Sequence, residues 1–399
     1  MSTPTEALTK LRVERLSTDA QLEALRPSWD ELLDNSNQCV YFLRWNWNKL
    51  WWQTHAPPNS HLYILGCYEA SGRLVGLAPL YWRKHPFAGI SHLPELCFIG
   101  TGVTTSTSEQ LDLIARRGYE QAVAAAIAEY IVQAPDVDRV WLSEVPITSI
   151  MLPHFRRSLG SHQAMEICNR SHYVNTQQSW ESFNRGLRKS MRTNVSYYTR
   201  RLFKLFDCKF RTVTTPEELE SAMDAFVRLH QARWQSKGEL GSFALPSFED
   251  FLKEAMRASL VEGRLRLWTL ELSGVTAAVL LGFVDNGVAH YFQGGFDPVF
   301  AKESLGTVMC GLCIKDCIEA VDIKEFNFMG GDPAYKERWT SFSRDSVTFE
   351  WLRPSLRTQS FAVVEQSKLV SRAFFRLVTP TIVRESVKAA RRRRLRGKQ

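Results

Sequence analysis

The chain has 399 residues, 44% of them apolar and 23% charged, with a net charge of +8. That is the composition of a globular protein long enough for two or three cored domains. It excludes a membrane span, which needs about 18 uninterrupted apolar residues. The eight cysteines are dispersed rather than arranged as a disulfide framework. The first ten residues lack the basic and apolar regions of a signal peptide, so a cytoplasmic location is expected.

The first elements in chain order are a tryptophan-bearing helical segment with Trp45, Trp47 and Trp51, then a hairpin over 61–80 turning at Ser71-Gly72. A strand over 96–102, a helix over 118–132 and a strand over 138–146 follow. About two hundred residues later the same order returns. Trp234 lies in a helical segment, a hairpin over 264–281 turns at Ser273-Gly274, and a strand over 288–295 ends in glycines. A helix over 306–320 and a strand over 325–329 complete this second copy. The pattern predicts two copies of one α/β unit: residues 1–165, a supporting domain, and residues 166–355, a catalytic domain. Residues 356–399 form a terminal helix and a basic tail.

Between the copies, the 180–206 segment predicts a helix capped by Ser179. From 182 to 206 it has no acidic residue, and Arg185, Arg188, Lys189 and Arg192 are expected on one face. Such a face suits an anionic ligand, nucleic acid, or simply solvent. Cys310, Cys313 and Cys317 fall on one helical face and have no fourth ligand nearby, so core packing is expected and no metal. Residues 384–399 hold eight basic side chains and one acid, a charge of +7. The other 383 residues therefore sum to +1. A tail of this kind is solvated, or holds the protein to an anionic membrane.

The second strand over 325–329 runs into Gly330-Gly331-Asp332-Pro333-Ala334-Tyr335-Lys336, with Arg338 and Trp339 just beyond. Paired glycines allow a sharp turn or a close ligand approach. The polar cluster beyond them reads as a site at a strand end or as an ordinary turn into a charged helix. In the first copy, Glu144-Val145-Pro146 stands in that place, which points to one working site.

The order of several motifs resembles a known family. They are Leu77-Ala78-Pro79-Leu80, Leu187-Arg188-Lys189-Ser190-Met191-Arg192 and Arg233-Trp234-Gln235-Ser236-Lys237-Gly238. Gly294-Gly295-Phe296-Asp297, Ser304-Leu305-Gly306 and the Gly330–Lys336 run complete the set. Together they are similar to the CelD-like (BioF-like) acyltransferases of the GNAT superfamily, associated with bacterial cellulose and exopolysaccharide production and related to Fem-type peptidyltransferases.

The resemblance implies a mixed α/β fold of tandem GNAT-like domains, each a twisted mixed sheet flanked by helices. It implies transfer of an acyl group from acyl-CoA to an amine or hydroxyl of a small molecule or saccharide. Gln293, Gly294, Gly295, Lys302, Ser304 and Gly306 would bind the cofactor at a helix N-terminus. Only Gly306 matches the usual glycine-rich fingerprint well, and Glu303 opposes Lys302. Asp332, Tyr335, Lys336 and His290 are the candidate catalytic residues. Arg188, Arg192, Trp234, Lys237 and Trp339 are candidate substrate contacts. An aminoacyl-tRNA donor, as in Fem relatives, and a non-catalytic scaffold in a polysaccharide assembly are the alternatives. Nucleic acid is otherwise not expected as a partner, and the tail could keep the protein at the inner face of the membrane.

Overall fold

The computed structural model describes residues 10–38, 40–87, 91–103, 107–160, 162–331 and 333–378. The strands in chain order are β1 (Arg12–Leu16), β2 (His61–Leu62), β3 (Ile64–Tyr68), β4 (Leu74–Ala78), β5 (Leu80–Phe87), β6 (Ser91–Phe98), β7 (Ile114–Ala115) and β8 (Arg139–Pro146). They continue with β9 (Gln163–Asn175), β10 (Cys208–Thr212), β11 (Leu265–Leu272), β12 (Val275–Asp285), β13 (Val288–Phe296), β14 (Glu325–Asn327) and β15 (Ser343–Leu352). A small sheet has the order β1-β3-β4-β7. A long twisted sheet runs β10-β11-β12-β13-β14-β9-β15-β8-β6-β5-β2.

The duplication is visible in the pairing. β13 runs parallel to β14, and β6 runs parallel to β8, each pair joined through a helix: Leu305–Glu319 in one case, Glu120–Gln133 in the other. Both predicted hairpins form. Ser273 and Gly274 take left-handed φ values of 50° and 85° in the two-residue turn joining β11 to β12, the geometry that matches strand twist. Asn286-Gly287 repeats this between β12 and β13. The copies differ where Pro79 stands between β4 and β5. A proline cannot donate to the ladder, and the chain passes there from the small sheet to the large one.

The expected boundary after residue 165 falls inside β9. The start of β9 pairs with β15 and its end pairs with β14. Because β15 also pairs with β8, residues 343–352 return to the first copy and make one continuous sheet. Side chains tie the copies together as well. Trp47 is buried against Phe251, Phe283 and Phe292 of the second copy, with ring centroids 4.8–5.6 Å apart. Tyr41 stacks on Phe283 at 4.5 Å. Arg44 donates to both oxygens of Asp285 at 2.6 and 2.7 Å. Burial of each large ring is worth about 2–3 kcal/mol.

The basic segment differs from the single predicted face. It forms two helices, Trp180–Gly186 and Lys189–Leu205. Leu187 and Arg188 are non-helical between them, because Leu187 turns inward to be buried. Arg185 and Arg188 therefore do not continue the face of Lys189 and Arg192. Ser179 does cap its helix, accepting from the Ser182 N–H. Cys310, Cys313 and Cys317 are buried in the core. The basic residues 384–399 lie outside the described residues. Among the described residues, no helix is long and apolar enough to cross a membrane.

Candidate functional site: a fork between two parallel strands

β13 and β14 pair only at Val288–Glu325, Ala289–Phe326 and His290–Asn327. Beyond that, β13 continues for six residues, Tyr291 to Phe296, while the chain after Asn327 diverges. The two prongs open a cleft of about 660 Å³. A bulge helps to shape it. Leu281 pairs with Gln293 but Gly282 with Tyr291, which leaves Phe292 as the extra residue. Bulges of this kind re-aim side chains beside functional sites. Phe292 lines the cleft while its ring rests on Trp47, so the first copy supports the floor.

At the open end of the fork, the helix Leu305–Glu319 begins with its N-terminus toward the cleft. Ser304, Leu305, Gly306 and Thr307 all line it. Ser304 is left-handed (φ 51°) and no side chain caps this end. The helix dipole and first-turn N–H groups favour an anion there. Glu303 does not oppose this, because Arg201 pairs with it at 2.7 Å. The opposite wall comes from the helix Pro216–Ser236. A Cβ on Gly295 would lie 2.4 Å from the backbone nitrogen of His230, so glycine there lets helix and strand touch. Arg233 donates to the Gly294 carbonyl at 2.9 Å and lies over the Phe296 ring. The Trp234 indole donates to His230 Nε2 at 2.9 Å. Burial and the Arg233 charge push the proton affinity of His230 down to about 4, so its ring is neutral at physiological pH.

The Gly330-Gly331 corner closes the other prong. Asn327 Oδ1 accepts the Met329 N–H at 2.8 Å, an Asx turn that holds Met329 at φ 56°. Lys336 is buried and its ammonium donates to the carbonyls of Met329 and Gly330. Glu109, from the first copy, accepts the Gly330 N–H with both oxygens, at 2.7 and 2.9 Å. Asn169 fills the space that a Gly330 side chain would need, and donates to Glu144 at 3.0 Å. Burial raises the proton affinity of Glu109, against the opposing Gly330 N–H and the Lys336 charge. Burial, then the Glu109 charge, pushes Glu144 up to about 7. The corner is thus held from both copies.

Tyr335 donates to the Gly306 carbonyl at 3.1 Å, and burial holds its phenol well above the ordinary value. It is therefore a hydroxyl donor, not a base. Of the residues singled out from sequence, Tyr335, Lys336, Gln293, Gly294, Gly295, Ser304, Gly306, Trp234 and Lys237 line the one cleft. His290 is buried at the last strand pair, edge-on to Phe42. Trp339 is buried beneath the cleft against Phe328 and Gly311. Lys302 and Arg188 are exposed and Arg192 half-buried; none of these three lines it. Asp332 lies outside the described residues. Sequence reasoning missed Arg233, Tyr291 and Glu109. Arg233 opens one of the quoted motifs but was given no role, and Glu109 lies 221 positions from Gly330 and carries no local signal.

Residues 189–337 match the family model described as "Acetyltransferase (GNAT) domain", and this stretch, which holds the whole fork, is a GNAT-type acetyltransferase domain. The fold is similar to that of FemX (TM-score 0.61, 11% identity), covering 88% of this chain and 100% of that one. A conserved protein of unknown function from Bacteroides thetaiotaomicron gives a TM-score of 0.55 at 10% identity, covering 85% and 100%. The C-terminal domain of a putative lysylphosphatidylglycerol synthetase from Agrobacterium fabrum gives 0.51 at 10% identity, covering 87% and 97%. No curated protein matches the chain. At these identities the likeness speaks to the fold alone.

Proposed function

We propose that the chain transfers an acyl group from a coenzyme A thioester, held in the β13/β14 fork, to an amine or hydroxyl of a small molecule or saccharide. The observation that carries this is the fork itself, opening onto an uncapped helix N-terminus. The pyrophosphate would rest on the N–H groups of Leu305 and Gly306, with Lys237 on the far wall and Lys302 outside the rim adding positive charge. The pantetheine arm would run inward along β13. The acceptor would enter from the Gly330-Gly331 corner.

The acceptor oxygen or nitrogen attacks the thioester carbonyl, its bond to carbon forming as the carbon–sulfur bond breaks. A β13 N–H near Gln293–Gly295 would take the developing oxyanion. The Tyr335 hydroxyl, which keeps its proton at working pH, is suited to donate a hydrogen bond to the leaving sulfur, whose proton then comes from solvent. The acceptor's proton needs a base at the corner. Asp332, the candidate from the sequence, would take that part, directly or by orienting the acceptor toward a water that accepts the proton. Lys336 would act through the shape of the corner. The CelD-like resemblance supports an acceptor in polysaccharide or cell-envelope synthesis, and the basic tail would then serve as a tether to anionic membrane.

Calorimetry with coenzyme A and acetyl-CoA tests the donor; saturable binding of both is expected, and absence of binding refutes it. An aminoacyl-tRNA donor is favoured by one observation. The helix Lys189–Leu205 packs against the turn and helix at the cleft mouth and presents Lys189, Arg200 and Lys204 to solvent. RNA retained through purification, with no affinity for coenzyme A, would favour that donor.

A further inference from the structure

We propose that the acceptor is an anion, carrying a carboxylate or a phosphate that Arg338 binds at the Gly330-Gly331 corner; this rests on the coenzyme A reading of the fork. The charged side chains on the cleft walls are Arg233, Lys237, Lys336 and Arg338, and no described lining residue is a carboxylate. A cleft lined by one sign of charge concentrates ligands of the other sign. Glu109 and Glu144 stand behind the corner without lining the cleft, and Glu109 is taken up by the Gly330 N–H. Asp332, outside the described residues, would leave the balance at four positive charges to one negative.

Three of these cations already have a part. Arg233 donates to the Gly294 carbonyl and lies over the Phe296 ring. Lys336 is bonded to the carbonyls of Met329 and Gly330. Lys237 sits over the Trp234 ring at 5.6 Å, on the wall assigned to the donor's pyrophosphate.

Arg338 is left. It follows Lys336 by two residues on the prong that carries the corner, and its side chain is exposed. No ion pair or side-chain hydrogen bond ties it to another described residue. Glu337 beside it acts on Arg170 and His172 instead. A guanidinium presents paired N–H donors that match a carboxylate or a phosphate. The same field disfavours polyamine acceptors, because an ammonium beyond the reacting nitrogen would meet Arg338 and Lys336.

The test is a set of saturation-transfer NMR titrations on the full chain, saturated with coenzyme A so that the donor's own phosphate contacts are filled. The probes are glucose, glucuronate, glucose-6-phosphate and glucosamine, which share one ring and differ in charge. Glucuronate or glucose-6-phosphate should bind at least ~10-fold more tightly than glucose and glucosamine, and the tighter of the two names the anion. In Arg338→Met that preference should fall to within ~2-fold, while coenzyme A affinity by calorimetry stays within ~2-fold of wild type. Arg338→Lys, which keeps the charge but loses the paired donors, should retain part of the preference. Equal affinity across the series, no binding of either anionic sugar, or a preference that survives Arg338→Met would overturn the proposal. So would a loss of coenzyme A affinity in Arg338→Met, which would give the guanidinium to the donor. Failure of the wild type to bind coenzyme A would instead remove the donor reading, and the sugar series on the unliganded chain would still test the anion site.

Discussion

Glu144 offers a sharp test of how the two copies meet. In the folded protein its carboxyl titrates at about 7, against an ordinary value of 4.5, through burial and the nearby Glu109 charge. Below pH 4.5 both folded and unfolded chains hold the proton, and there is no penalty. Between 4.5 and 7 the folded chain holds it and the unfolded chain does not, so stability falls as pH rises. Above about 7 the full cost of an ionised, buried carboxylate is present, about 3 kcal/mol. Glu144→Gln removes the titration and keeps an acceptor for Asn169 Nδ2, which lies 3.0 Å away. The variant should be more stable than wild type by about 3 kcal/mol at pH 8.5 and by under about 1 kcal/mol at pH 5. With ~2.1 cal/mol/K per residue, a chain of 399 residues melts with an entropy near 0.8 kcal/mol/K, so these become about 4 °C and 1 °C in Tm. Calorimetric melts at the two pH values decide the matter. An identical Tm difference at both would show that Glu144 is not held in a buried, like-charged setting.

Other consequences concern the walls of the fork. Glu109→Ala strands the Gly330 N–H and should cost about 1.5–3 kcal/mol, with Glu109→Gln losing less, read by urea unfolding. Gly295→Ala forces a methyl into the backbone of the helix Pro216–Ser236; we expect a loss of about 1–3 kcal/mol and weaker coenzyme A binding by calorimetry. Tyr335→Phe should cost about 1 kcal/mol through the lost Gly306 contact. On the acyltransfer reading it lowers turnover while the Kd for coenzyme A holds. Arg44→Leu removes the partner that reaches Asp285 from the first copy and, with Arg264 still donating to Asp285 at 2.7 Å, should cost about 1.5–3 kcal/mol in denaturant unfolding.

Much of this protein was legible before any coordinates. The hairpins announced themselves because Ser273-Gly274 between apolar runs permits few other conformations, and the helices because their apolar spacing and caps are local properties. The repeated order of elements exposed the duplication. The abrupt glycine pair after residue 329 and the polar run beyond it, matched in the first copy only by Glu144-Val145-Pro146, pointed to one end of the cleft. Nine of the residues chosen from sequence meet in it: seven because strand ends and the helix that follows them stay neighbours in space, and Trp234 and Lys237 because the helix Pro216–Ser236 packs across β13.

What only the tertiary structure decided is non-local. No pattern in 343–352 says that this strand inserts between β8 and β9; that pairing depends on which sheet edge is still open when the rest has folded. The same holds for Glu109, which becomes part of the Gly330 corner only when the loop after β6 and the end of β14 are brought together. Lys336, a candidate catalytic residue by its place beyond the glycine pair, is buried and bonded to two backbone carbonyls. His290, in register with the cleft by its position on β13, lies at the last strand pair where the sheet is still closed. The Gly330-Gly331 turn itself needed glycine for two separate reasons: Gly331 has a φ of 116°, and Gly330 has the amide of Asn169 where a side chain would go. The first is a backbone preference that sequence can suggest. The second is a packing contact from a distant strand, and packing is decided only once the strands have met.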